Sequence, residues 1–141
     1  MTAPNILLHM DGTNGSTSFP DATGAHTVTA YGNAAVSTAQ SQFSGASLLV
    51  DGGTPGDYLE VPNSSDWELG SNPFTVECWI HPIAAMSSYG AFVTHNGYSS
   101  NTGWGCGCYL RTNSDSFLTG SKYIPQQMVL SHVMHGSMLL Q

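Results

Sequence analysis

Two short alternating runs at residues 58–61 and 74–80 constrain this chain more than any other feature, because each is fenced by residues that cannot extend a strand. The first, Tyr58-Leu59-Glu60-Val61, stops at Pro62, Asn63 and Ser64, and the second begins after Pro73 and ends at Pro82. Proline lacks the amide donor a ladder needs, so it brackets strands and does not interrupt them. Apolar alternation between such brackets is how neighbouring strands of an antiparallel sandwich are encoded. In the second run the period of two places Phe74, Val76, Cys78 and Ile80 on one face and Thr75, Glu77 and Trp79 on the other. One face is expected to be core.

The rest of the chain fits that class. Sixteen glycines, seven prolines and only 8% charged residues in 141 positions describe a turn-rich all-β chain, since surface helices draw on Glu, Lys and Arg. Residues 1–141 are expected to form a single domain with one core. Strands are expected at 6–10, 26–30, 46–50, 58–61, 74–80, 89–94, 104–110, 116–119 and 128–134. Between them Asp11-Gly12, Asn14-Gly15, Asp51-Gly52-Gly53 and Asn96-Gly97 supply turn residues tolerant of positive φ. The net charge of −7 reflects a scarcity of bases, Arg111 and Lys122 being the only two. A surface that neutralised phosphates would need clustered cations, so neither nucleic acid nor an anionic membrane surface is an expected partner. No stretch approaches the roughly 20 apolar residues of a spanning helix, and no export signal is visible, so membrane insertion is not expected.

Order and spacing of several segments carry a resemblance. The apolar strand before Asp51-Gly52-Gly53, then Gly56-Asp57-Tyr58-Leu59-Glu60-Val61-Pro62, then Phe74-Thr75-Val76-Glu77-Cys78-Trp79-Ile80-His81-Pro82, resembles the concanavalin A-like, laminin-G-like jelly-roll family. The opening Leu7-Leu8-His9-Met10-Asp11-Gly12, followed by Phe19-Pro20-Asp21-Ala22-Thr23-Gly24-Ala25-His26, is similar to the start of such domains in bacteriophage structural proteins. The matches cover about the first two thirds of the chain. The resemblance implies an all-β antiparallel β-sandwich with a lectin-like fold. Sandwiches of this kind commonly occupy about 200 residues or more. The apolar tail therefore implies either a reduced sandwich, an incomplete chain, or an open edge completed by a neighbouring subunit. The last is favoured, through Met128, Val129, Leu130, Val133, Met134, Met138, Leu139 and Leu140.

Chemistry narrows the function. Glycoside hydrolysis needs two carboxylates facing each other across the scissile bond, whereas Glu60, Glu68 and Glu77 are scattered and form no Glu-x-Asp-x-Glu array. No Gly-x-Ser-x-Gly elbow is present either, so an enzyme is not expected. His132 and His135 have helical metal-pair spacing, but on a strand they would point to opposite faces. The three cysteines, Cys78, Cys106 and Cys108, are expected as small buried hydrophobes, a link from Cys78 to one of the others staying open. Calcium is the better metal hypothesis, because hard cations take carboxylate and carbonyl oxygens in turn-rich loops. Asp11, Asp21 and Asp57 are its candidate ligands, and the alternative is that they tie turns to backbone amides. Saccharides stack their C–H faces on aromatic rings beside planar polar groups, so Tyr58, Asn96, Tyr98 and Asn101 are candidate glycan contacts.

Two functions follow as expectations. The first is a non-enzymatic virion surface protein, a capsid decoration or fibre module, made in the host cytoplasm and partnered by other virion proteins or copies of itself. The second is a carbohydrate-binding adhesin module that recognises cell-surface glycans.

Overall fold

Strand pairing in the first sixty residues is nested. The structure, a computed structural model, describes residues 3–52, 55–69, 74–76, 78–79, 81, 90–95 and 104–108. Strand β1 (Thr29–Tyr31) pairs antiparallel with β4 (Tyr58–Glu60), and between them in sequence β2 (Ala35–Ser37) pairs antiparallel with β3 (Ser47–Leu49). A third ribbon joins β5 (Gly90–His95) to β6 (Trp104–Cys108), also antiparallel. The described residues thus fall into small antiparallel sheets with one 3-10 turn, Ser65–Trp67, and no α-helix among them.

Both nested ribbons feed one core. In the inner ribbon Val36 lies opposite Leu48, and each is only 2% exposed. Met10, Phe19, Ala34 and Ala46 complete the buried cluster, and Ala30 of β1 and Leu59 of β4 pack against it. Because side chains alternate along a strand, sending Ala30 and Leu59 inward turns their neighbours outward. The outer face of the β1–β4 ribbon therefore carries Thr29 opposite Glu60 and Tyr31 opposite Tyr58, all four exposed. Burying a Val or Leu side chain fully stabilises a fold by roughly 1.5–3 kcal/mol. The pair Val36–Leu48 is accordingly the main anchor of the inner ribbon.

Several expected strands shift or shrink, each for a local reason. Residues 6–10 were expected as a strand, but only Leu8 bridges to Asp21. The Leu7 amide donates to the Asp21 carboxylate, while the Ala22 amide donates to the Leu7 carbonyl. A side chain thus takes the acceptor position that a longer ladder would have filled with backbone. The strand expected at 26–30 begins only at Thr29, because the His26 amide is taken by Asp21. Ala35–Ser37 is a strand that alternation did not reveal, its only β-branched residue being Val36. Residues 74–76, 78 and 79 lie in no strand. The expected alternation shows in the burial of the first three, with Phe74 and Val76 half-buried around an exposed Thr75, whereas the neighbours Cys78 and Trp79 are both half-buried. Alternation dictates which face is apolar; a strand also needs a backbone ladder beside it.

The expected strands at 46–50, 58–61, 89–94 and 104–110 appear within a residue or two as β3, β4, β5 and β6. The register of the last pair slips between Ala91 and Val93, a bulge centred on Phe92. Gly12, Gly15 and Gly52 take the positive φ expected of their turns. The strands expected at 116–119 and 128–134 lie outside the described residues.

Candidate functional site

Loop geometry on this scaffold is set by two carboxylates. Asp21, only 9% exposed, accepts from the amides of Leu7 (3.0 Å), Thr23 (3.0 Å) and His26 (3.1 Å) and from the Thr23 hydroxyl. Burial opposes its ionisation, but these four donors outweigh it and hold the carboxyl well below the usual carboxylate range. The bond from Leu7 joins the N-terminal segment to the 21–26 loop, and the other three shape the loop itself. Charge-assisted bonds of this kind are stronger than neutral ones, which is why a single Asp can replace a length of ladder.

Asp57 does the same for a second set of turns. One oxygen accepts the Asn33 amide at 2.6 Å, and the other accepts the amides of Asp51 at 2.8 Å and Gly52 at 3.1 Å. The Asn33 amide is the largest influence holding its carboxyl below the usual range; the Asp51 side chain and the other amides add to it, against a smaller opposing effect of burial. Turns at 32–33, 51–52 and 56–57 therefore meet at one side chain. Gly32 makes this approach feasible: its φ is +67°, and a Cβ there would collide with the Gly56 carbonyl and the Asp57 carboxylate.

Directly beside this knot stand two exposed rings. Tyr31 and Tyr58, opposite each other in the β1–β4 register, stack with centroids 4.8 Å apart and planes 12° from parallel. They remain 40% and 48% exposed. Offset or parallel ring pairs at this separation stabilise each other beyond simple area burial.

A separate cluster closes the other end of the 21–26 loop. The His26 ring, with a side chain 10% exposed, lies 4.7 Å from the Trp67 ring, and its Nε2 is 3.1 Å from an Asp66 carboxylate oxygen. Asn5 donates to the Asp66 carbonyl, Ser64 caps the turn by accepting the Asp66 amide, and the Trp67 indole donates to the Pro62 carbonyl. The strand-free stretch 61–69 is thereby pinned to the N-terminal segment.

The expected site residues are distributed as follows. Tyr58 lies on the exposed face of β4, while Asn96, Tyr98 and Asn101 lie outside the described residues. Asp21 and Asp57 are the turn-tying carboxylates, and Asp11 is exposed in its loop. The described residues contain no group of three or more His, Cys, Asp or Glu that could hold a metal ion. Each oxygen of Asp21 accepts two hydrogen bonds, whereas one oxygen of Asp57 accepts two and the other one. The apolar set from Met128 to Leu140 lies outside the described residues. Glu60 and Glu68 are exposed and lie on β4 and just after the 3-10 turn. Trp79 meets Phe43 edge-on, with centroids 5.8 Å apart.

Tyr31 is the residue that sequence reading missed. It follows the stretch expected as a strand by one position, and only the register brings it opposite Tyr58. An aromatic at the strand's last exposed position was the available signal. No protein-family model, curated protein or solved structure matches this chain.

Proposed function

We propose that this chain is a non-enzymatic virion surface protein with a lectin-like jelly-roll fold, a capsid decoration or fibre module that docks on other virion proteins or on copies of itself. The observation that carries the reading is the use of its carboxylates. Asp21 and Asp57 spend their oxygens on backbone amides, nearby ones and, from Leu7 and Asn33, more distant ones, so the acidic groups build a stiff scaffold. The resemblance of residues 48–82 to the laminin-G-like jelly-roll family, and of the opening segment to the start of such domains in bacteriophage structural proteins, gives that scaffold its setting. Antiparallel ribbons sharing one core agree with the sandwich class at a coarser level. Docking is assigned to the apolar set Met128, Val129, Leu130, Val133, Met134, Met138, Leu139 and Leu140, whose burial against a neighbour would remove an apolar surface from water.

Native mass spectrometry of the purified chain, with co-sedimentation on phage particles lacking it, tests the proposal. Oligomers or particle-bound protein are expected, and Leu130→Ser with Leu139→Ser should abolish them. A folded monomer that ignores particles would end this reading.

A second reading, a carbohydrate-binding adhesin module for host surfaces, is favoured by the stacked and exposed Tyr31–Tyr58 pair. The two are compatible, since a virion module can also carry the contact with its host.

A further inference from the structure

The Tyr31–Tyr58 pair is an unusual use of an exposed strand position. Two large rings face solvent on the outer side of a ribbon whose inner side already meets the core through Ala30 and Leu59. Their backbones do not depend on the rings for position, because Asp57 ties the turns at both ends of the pair. Tyr31 is followed by the Gly32–Asn33 turn that donates to Asp57, and Tyr58 follows Asp57 itself. The platform is thus pre-organised by a group that is not part of its surface. Pre-organisation of this kind lowers the ordering cost of binding.

The rings also limit what can sit on them. Stacked at 4.8 Å and nearly parallel, they leave no slot between them for a proline ridge, and each offers only its outer face and edge. A flat face suits the C–H side of a pyranose, whose hydroxyls can reach neighbouring polar groups. Among the described residues the charge around the rings has one sign: Glu60 shares the outer face with Tyr58, and Asp51 and Asp57 lie at the turn below. The two basic residues of the chain, Arg111 and Lys122, lie outside the described residues. Carboxylated, sulfated or phosphorylated sugars would meet repulsion from these carboxylates.

We propose that Tyr31 and Tyr58 form a stacking subsite for a neutral saccharide, and that the acidic rim around them excludes anionic glycans. The proposal deepens the adhesin reading above and needs no particle to be tested. It also differs from the sequence-based expectation, which paired Tyr58 with residues 96–101 and did not include Tyr31.

The experiment is a titration of the 141-residue chain with two neutral oligosaccharides, maltohexaose and cellohexaose, and with the length-matched anionic hexamer of galacturonic acid. Binding is read by isothermal calorimetry and by amide shifts in a 15N spectrum. The neutral sugars should bind and shift the Gly32, Asn33 and Tyr58 amides, while the anionic hexamer should not. Tyr58→Leu keeps an apolar strand residue but removes the ring, and should weaken binding roughly three- to ten-fold, as should Tyr31→Leu. Tyr58→Phe keeps the ring and should stay close to wild type, which separates stacking from a folding defect. Melting curves of each variant establish that it is folded. Three outcomes overturn the subsite: no neutral sugar bound, equal or tighter binding of the anionic hexamer, or both Leu variants folded and binding as wild type. Any of these leaves the particle-docking result untouched, so failure of the subsite and failure of the virion reading are distinguishable.

Discussion

Replacing Gly32 by alanine is the sharpest test of how the Asp57 knot is built, because a matched control exists in the same molecule. Gly24 has a φ of +73°, close to the +67° of Gly32, yet a Cβ at Gly24 would meet nothing within 4 Å. Both substitutions incur the left-handed backbone penalty of about 1–2 kcal/mol for an L-residue. Both also gain up to about 1 kcal/mol from a stiffer unfolded chain, so these contributions cancel in the comparison. Only Gly32→Ala adds a collision, and its partners are the Gly56 carbonyl and the Asp57 carboxylate. Neither is the free end of a flexible side chain: one is backbone, and the other is fixed by three amides. Overpacking of this kind typically costs about 1–3 kcal/mol. Gly32→Ala should therefore be less stable than Gly24→Ala by about 1–3 kcal/mol. Urea unfolding followed by far-ultraviolet circular dichroism measures the difference, and with a slope of about 2 kcal/mol per molar the midpoints should differ by roughly 0.5–1.5 M. Coincident midpoints for the two variants would refute the close approach of the turns.

Other substitutions probe the core and the acid response. Leu48→Ala should destabilise by about 2–5 kcal/mol, whereas Leu49→Ala, one position along β3 and 36% exposed, should cost under about 1 kcal/mol. Equal losses in urea unfolding would contradict the β2–β3 register. Asp21 has its folded-state ionisation held below the ordinary carboxylate range, so its contribution is present above about pH 4, the unfolded value. That contribution is lost progressively as pH falls below about 4 towards the folded value. Asp21→Asn should lower the melting temperature at pH 7 and flatten its fall between about pH 4 and 2; melting curves parallel to wild type across that range would show that Asp21 is not the group responsible.

Legibility of the fold varied with how local its cause was. Strands β3 and β4 were readable because Leu48 sits in a short apolar run and Leu59 in an alternating one, both followed by turn residues. β2 was hidden because Ala35 and Ser37 carry little strand preference, and Val36 becomes a strand residue only by lying opposite Leu48. The run at 74–80 misled in the opposite direction: its alternation shows in the burial of Phe74, Thr75 and Val76, and the described part of it lies in no strand. For the site, the part Asp21 and Asp57 play in tying turns could not be read from residue type. It depends on which amides converge on each carboxylate, and those come from as far as Leu7 and Asn33.

Composition and period alone determined that the described chain is rich in strands and turns, that the sequence is poor in cations, and that a run such as 58–61 has one apolar side, because these follow from side-chain chemistry and from the two-residue repeat of a strand. Tertiary structure decided which strands pair and what their outward residues become. Tyr31 and Tyr58 are 27 positions apart in the chain, and only the antiparallel register of β1 and β4, held at its turns by Asp57, makes them one surface. Pairing between distant segments is a property of backbone hydrogen bonds and shared burial, and neither is written at any single position.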